Sequence, residues 1–436
     1  SLYQDLGEYE NALDEYKRVI FLDPENLDAY INMGEIHELF NRYEEAIHNF
    51  QSVIDIDPNH VEGHVHLGSS YAKLERYKEA LDEFQAALDL DPDREQTYYR
   101  RGVTYGDLGL FQEGLKSLQK ALNLNPNHLD TLLQLGRFNS ILGNYQEAAN
   151  HLNKLLKLAP NYSEVGLLSG KNLVELNQFK SALPHLEKAV QKQPDSFEAQ
   201  FYLGLNLIRL NRSANAIAPF QKAVKIKPES ALTFNHLGQT YQKLKMYPQA
   251  IFSYKQATRI EPNFTDAYNQ LGTLYTFQKN YEMAIKMFQG VVQSNQKFQS
   301  GYLNLGMIYE ILGRHPEAIE QYNNILALNP DHQKALLNLG WVMMDENRFM
   351  EAIPPLKHAI DLNLENTDAH YTLGLVFGRL KRYQDAQDQY QKVLQLDPNH
   401  TGAYERIALI EKAMKRTTVS AQKNVFHEEQ DIIQVP

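Results

Sequence analysis

Apolar residues along this chain recur at i, i+3, i+4 and i+7 in stretches of about a dozen residues, the spacing of one helical face. Leu81, Phe84, Ala87 and Leu88 are one example. Many of these stretches break at a glycine or asparagine, at Gly7, Asn41, Gly109, Gly143, Asn177, Asn211, Gly313 and Asn347. A helix ends there most easily on a left-handed residue. Glu75, Lys245, Lys279 and Lys381 occupy the same place less comfortably. A second apolar stretch follows each break and stops at a proline, which cannot continue a helix and restricts the residue before it. The pattern predicts paired short helices throughout and no strand-rich segment.

The pairs keep a fixed period. Pro24, Pro58, Pro92, Pro126, Pro160, Pro194, Pro228, Pro262, Pro330 and Pro398 stand on a 34-residue spacing, with Gln296 and Leu364 filling the two vacancies in register. Glycine keeps the same period from Gly34 to Gly374. A small residue (Ala12, Ala46, Ala80, Gly114 and onward to Ala386) lies twelve positions before each proline place. Three residues before it sits an aromatic, except at Ser213 and His315. These columns resemble the tetratricopeptide repeat (TPR), with Leu-Gly and Tyr on a first helix, then Ala, an aromatic and Ala on a second, then Pro. The match is nearly complete in Tyr99 to Pro126 and Tyr268 to Phe298, apart from Gly114 and Gln296.

The resemblance implies an all-α TPR solenoid, a right-handed superhelix of antiparallel helix pairs with the first helices on its concave side. Residues 1–26 supply a partial N-terminal repeat and 27–400 eleven complete ones. Residues 401–416 read as a C-terminal capping helix: Ala403, Tyr404 and Ile407 keep the pattern, while Glu405, Arg406, Glu411, Lys412, Lys415 and Arg416 make the remainder polar. The period is lost over 417–436. That stretch reads as a flexible tail or as a docking peptide, through Val425, Phe426, Ile432, Ile433 and Val435.

Single repeats cannot bury both helix faces, so they stack. The recurring glycine and alanine let helices approach closely, and the acidic column at Asp28, Glu62, Asp130, Glu164, Glu198, Asp266 and Asp368 faces the positive end of each first helix. At Gln296 and Leu364, without proline, the preceding helix is expected to fray or lengthen. Ser1 falls midway along a first helix, so the face carrying Leu2, Leu6, Tyr9, Ala12, Leu13 and Tyr16 is expected to be covered by preceding repeats or by another protein.

Composition narrows the chemistry. The 436 residues contain no Cys, which excludes disulfides, Cys-ligated metals and thiol nucleophiles. A net charge of −11 argues against nucleic acid as a partner, and no apolar run is long enough for a membrane span. The Asp55, Asp57, Asn59 sequence imitates a calcium loop but has Pro58 inside it and His60 in place of the required glycine. His60, His64 and His66 lack an identifiable further ligand and read as structural. His427-Glu428-Glu429 lacks the second histidine of a zinc-protease helix, because Asp431 takes its place. No catalytic residue, cofactor site or metal site is predicted.

The predicted site is therefore a surface. In the resembled family, positions 2, 5, 6, 9, 12 and 13 of the first helices line the groove. Position 6 reads Asn32, His66, Arg100, Gln134, Leu168, Tyr202, His236, Gln270, Asn304, Asn338, Thr372, Arg406. This looks like a degraded form of the asparagine ladder of O-linked N-acetylglucosamine transferases, whose amides hold an extended peptide backbone. The carboxylate clamp of chaperone-binding relatives needs Lys and Asn in one unit, Asn in the next, then Lys and Arg; the closest window, Asn269, Thr273, Asn304, Lys334 and Asn338, matches at two of five places. Residues 231–298 present amides and hydroxyls, including Asn235, His236, Gln239, Asn269 and Gln270, between apolar zones at Leu168 and Tyr202 on one side and Leu337, Trp341 and Met344 on the other. The leading expectation is a non-catalytic scaffold that binds a protein or peptide segment at Asn32, Asn235, His236, Gln239, Asn269, Gln270, Asn304, Asn338, Leu337, Trp341 and Met344. The alternatives are the substrate-recruiting repeats of a larger enzyme such as a glycosyltransferase, or a self-associating assembly protein.

Overall fold

Most first helices begin at a side-chain cap, although those after Arg94, Phe264 and Phe298 do not. In a computed structural model describing residues 3, 6–160, 162 and 165–415, Asn26 accepts from the Ala29 amide (3.0 Å), His60 from Gly63 (2.9 Å) and Asn366 from Ala369 (3.1 Å). Capping of this kind satisfies amides that have no intrahelical partner. The acidic column lies two residues past the cap, in the first turn, and reaches the neighbouring repeat: Glu62 pairs with Arg94 (2.9 Å), and Asp130 accepts from the Tyr162 hydroxyl (2.8 Å).

Each first helix, such as Leu27–Leu39, ends on a left-handed residue at the predicted break. There the Asn41 amide donates to Glu38 and the Arg42 amide to His37, a Schellman closure. Asn41, Glu75, Lys245, Lys279 and Lys381 all hold φ between 55° and 60°, so the bulky residues do occupy the strained place. The second helix, such as Tyr43–Ile56, ends on a residue with extended backbone.

The expectation for Gln296 and Leu364 is not met in one respect. Tyr281–Ser294 and Phe349–Leu362 span 14 residues, like Tyr43–Ile56, and end in register. Asn295 and Asn363 close these turns by accepting from the Lys297 (3.0 Å) and Glu365 (3.1 Å) amides. Asp57 does the same for Asn59 (3.0 Å), so the calcium-like acidic run is this Asx turn. At these two junctions the helix ends in register on an Asn-closed turn without proline.

The contacts divide the chain into Ser1–Ile226 and Lys227–Pro436. Within each unit every helix packs on its neighbours in sequence, and no strand occurs among the described residues. The fold is thus an all-α TPR solenoid. Successive first helices also touch directly, as Val61–Lys73 touches Glu95–Asp107 in the first unit and Gln333–Asp345 touches Thr367–Arg379 in the second. Residues 401–415 form a further helix. Residues 416–436, including the expected tail, lie outside the described residues.

The N-terminal end differs from expectation. Ala12, Leu13 and Tyr16 are buried against Ala29, Met33 and Ile36 of the next helix. Of the expected face Leu6 is exposed, and Tyr3, Val19, Phe21 and Leu22 join it. Leu2 lies outside the described residues.

Inside each pair the recurring glycine faces one large side chain of the second helix. A Cβ at Gly306 would lie 2.5 Å from the Tyr322 ring, and one at Gly238 2.7 Å from Tyr254. Gly306→Ala is expected to cost about 1–3 kcal/mol through overpacking, read as a lower denaturation midpoint. Lys245→Gly, which relieves a left-handed lysine, is expected to raise stability by about 0.5–1 kcal/mol, read as slower amide exchange at residues 241–247.

Candidate functional site

The predicted amide ladder is largely engaged within the protein. Asn32 donates to the Asp28 carbonyl one turn back (2.6 Å), His236 contacts Gln239 (3.1 Å), Asn304 donates to the Asn269 side chain (3.3 Å) and Asn338 to the Tyr322 hydroxyl (3.3 Å). Asn235 is only 2% exposed and packs inside the repeat with its side-chain carbonyl unpaired. Gln270 alone among these amides is half-buried and without an internal bond among the described residues. Leu337 packs against the cluster of Leu336, Ala359 and Ala369. The column does not present a row of free amides, because a helix surface in a tight stack offers nearer partners than a ligand does.

The histidines of the second repeat are structural. His64 lies between the Glu83 carboxylate (2.6 Å) and the Pro58 carbonyl (3.0 Å), and His66 contacts Glu38 (3.0 Å). Among the described residues no group of three or more His, Asp or Glu is arranged to hold a metal ion, and no helix is long and apolar enough to cross a membrane.

Trp341 and Met344 have a different environment. They line a pocket of about 500 Å³ together with Phe349, Leu375, Gly378, Arg379, Tyr383, Tyr390, Arg406, Leu409, Ile410 and Ala413. Its walls come from the first helices Gln333–Asp345 and Thr367–Arg379 and from the helix at 401–415. Trp341 is 41% exposed and Leu409 57% exposed, a large apolar area left in water.

One difference between repeats falls in this pocket. In two earlier repeats the buried tyrosine that faces the glycine finds an acceptor twelve residues back: Tyr254 donates to Gln242 (2.7 Å) and Tyr322 to Glu310 (2.9 Å). For Tyr390 the equivalent place is Gly378, which has no side chain to accept. A Cβ there would meet nothing within 4 Å. Burial holds the Tyr390 phenol above its ordinary range, so it remains a neutral donor, and it has no hydrogen-bond partner among the described residues.

The charges at the rim are also distinctive. Arg42, Arg76, Arg94, Arg314, Arg348 and Arg382 are paired with carboxylates. Arg379 and Arg406 form no ion pair among the described residues. The pocket's Asp345 is approached by His315 (3.5 Å), whose other ring nitrogen meets Glu346 (2.8 Å). His315 is one of the two residues that depart from the aromatic column, and here it bridges these two carboxylates.

Sequence reasoning found Trp341 and Met344 and placed Arg406 in the groove column without choosing it, but missed Leu375, Arg379 and Leu409. Their signal was available, since they occupy positions 9, 13 and 9 of the last two units. Reading 401–416 as a solvating polar cap concealed it, because Leu409 and Arg406 face the pocket. A second pocket, of about 470 Å³, lies in the first unit among Arg137, Ile141, Tyr145, Leu168, Lys171 and Tyr202. There Lys171 is 5.1 Å from the Tyr202 ring centre and already pairs with Glu198 (3.2 Å).

Sequence profiles described as tetratricopeptide repeat or TPR repeat match residues 1–39, 27–60, 68–109, 93–161, 167–231, 231–264, 253–286, 300–332 and 367–400. The chain belongs to the tetratricopeptide repeat family, whose general role is that of a protein-interaction scaffold. Among solved structures, the C-terminal part of a TPR repeat-containing protein from Cytophaga hutchinsonii aligns with 55% of this chain and 99% of its own, at 16% identity and a TM-score of 0.50. MamA from Desulfovibrio magneticus RS-1 aligns with 39% of this chain and 96% of its own, at 28% identity and a TM-score of 0.37. YrrB, described as a TPR protein with an unusual peptide-binding site, aligns with 43% of this chain and 96% of its own, at 19% identity and a TM-score of 0.40. A comparison with curated proteins finds no match.

Beside the pocket, burial pushes the Glu310 carboxyl above its ordinary 4.5, against the smaller opposing effect of the Tyr322 hydrogen bond. A carboxyl raised on folding stabilises the fold below its unfolded value, and that contribution is lost as pH rises through the folded value. Glu310→Gln keeps an acceptor for Tyr322 and removes the titration. Wild type and variant are expected to denature alike at pH 4, with the variant more stable at pH 7; thermal melts at both pH values check this.

Proposed function

We propose that this chain is a non-catalytic scaffold whose first-helix face binds a segment of another protein, and that the Trp341 pocket takes that segment's large apolar side chain. The observation that carries this reading is the pocket itself: an exposed indole, flexible Met344, and Leu375 and Leu409 surrounding a cavity with an unpaired hydroxyl at Tyr390. Aromatic and methionine side chains gathered in a recess form the kind of surface on which a few anchors supply most of the binding energy. Arg379 and Arg406 at the rim favour a segment with a carboxylate beside its apolar anchor, and they contribute more to orientation and encounter than to raw affinity.

The remaining ladder residues take a secondary part in this reading. Gln270 and the outward sides of Asn269 and Asn304 offer donors and acceptors to a passing peptide backbone, whereas Asn235 and Leu337 support the packing behind them.

Trp341 is the only tryptophan in the chain, so its fluorescence reports on the pocket directly. A panel of peptides pairing Phe, Leu or Ile with Asp or Glu is titrated against the full chain while Trp341 emission is followed. Apolar-acidic peptides are expected to shift the emission, with binding weakened by salt. Leu409→Asp is expected to weaken binding about 30-fold, the effect of losing an anchor worth about 2 kcal/mol. Failure of every peptide to shift the emission would sink the proposal.

A further inference from the structure

The pocket's last wall is the helix at 401–415, and the chain leaves that helix toward a segment that matches the pocket's chemistry. Residues 424–436, Asn-Val-Phe-His-Glu-Glu-Gln-Asp-Ile-Ile-Gln-Val-Pro, contain no Lys or Arg. They combine Phe426, Ile432 and Ile433 with Glu428, Glu429 and Asp431. We infer that this segment is an intramolecular occupant of the Trp341 pocket, with Phe426 or the Ile432-Ile433 pair in the apolar recess and its carboxylates on Arg379 and Arg406. The inference rests on the reading of that pocket as a segment-binding site.

Three observations support it. The first is charge complementarity: two guanidinium groups at the rim form no ion pair among the described residues, and the segment carries three carboxylates without a cation. An Arg–carboxylate contact is charge-assisted and, when bidentate, directional.

The second is reach. Ala413 lines the pocket, and Phe426 follows Lys415 by eleven residues, which span up to about 36 Å when extended. That exceeds the width of a helix with its side chains, about 10–12 Å, so the chain can turn back onto the face it has just left. A tether of this length keeps the segment at an effective concentration on the order of millimolar. Weak intrinsic affinity is then enough for occupancy.

The third is the apolar area awaiting cover. Trp341 and Leu409 stand exposed on facing walls, and Gly378 leaves room between them that no side chain fills. The Tyr390 hydroxyl supplies a neutral donor within this recess for a carboxylate or a backbone carbonyl.

Docking of this kind lowers the apparent affinity for any external segment in proportion to the fraction of open pocket. The tail therefore sets the threshold at which a partner binds.

The test uses the full chain and acrylamide quenching of Trp341. A variant carrying Phe426→Ala, Ile432→Asp and Ile433→Asp changes no residue of the described fold, and circular dichroism confirms its helix content. Relative to wild type, it is expected to show red-shifted emission, greater quenching and tighter binding of the external peptides. A synthetic peptide of residues 420–436 is expected to restore shielding to that variant. It should not do so when Arg379→Glu and Arg406→Glu are also present. Unchanged emission and quenching in the tail variant would overturn the inference. Shielding that rises with protein concentration would overturn it as well, by placing the tail in the pocket of a second copy. If external peptides still shift Trp341 while the tail variant matches wild type, the tail inference falls and the scaffold reading stands; if neither affects Trp341, both fall.

Discussion

Each repeat is held at its spacing by one contact, a glycine of the first helix against a single large side chain of the second, sixteen residues later. Gly34 meets Phe50, Gly102 meets Leu118, Gly272 meets Phe288 and Gly374 meets Tyr390, each at a distance that leaves no room for a Cβ. The facing side chains are almost completely buried. Because this contact fixes the axis separation of the pair, it also fixes how far the outer positions of the first helix project. Positions 9, 12 and 13 stand clear of the contact, and Trp341, Met344, Leu375, Arg379 and Leu409 of the pocket occupy them.

That constraint explains why a polar partner matters wherever the facing residue is tyrosine. A ring buried against backbone brings its hydroxyl to the edge of the first-helix face, where it needs an acceptor or a solvent-reaching gap. Gln242 and Glu310 serve as acceptors for Tyr254 and Tyr322. Gly378 provides the gap for Tyr390. Where the other two repeats carry a glutamine or glutamate, a glycine here lines the pocket.

Electrostatics divides the structure along similar lines. Most arginines near the helix junctions pair with a carboxylate three residues on or in the adjacent repeat, and such exposed pairs contribute little to stability. They neutralise cationic groups and keep the outer surface indifferent to partners. Arg379 and Arg406 stand apart because the carboxylate nearest to them in the pocket, Asp345, is already approached by His315. Both arginines line the pocket and form no ion pair among the described residues.

Much of this was legible in the residues themselves. The 34-residue period, the helix ends, the left-handed lysines and the glycine column follow from local backbone preferences and from the periodicity of apolar positions, which act over a few residues and leave a written trace. Trp341 and Met344 were legible too, as large apolar residues in columns that packing does not require. The role of Asn235, Leu337 and Asn338 was not, since whether a polar side chain on a helix faces a ligand or a neighbour depends on what the next repeat places beside it. Leu409 was hidden for the same reason, and Arg406 was placed in the groove column without being chosen: in sequence they belong to a charged terminal helix, and only packing against Thr367–Arg379 turns them toward Trp341. The sequence by itself determined the repeat, its helices and its spacing, because these are local. The tertiary structure decided which outward residues are engaged and which are open, because that depends on distances between side chains more than thirty residues apart.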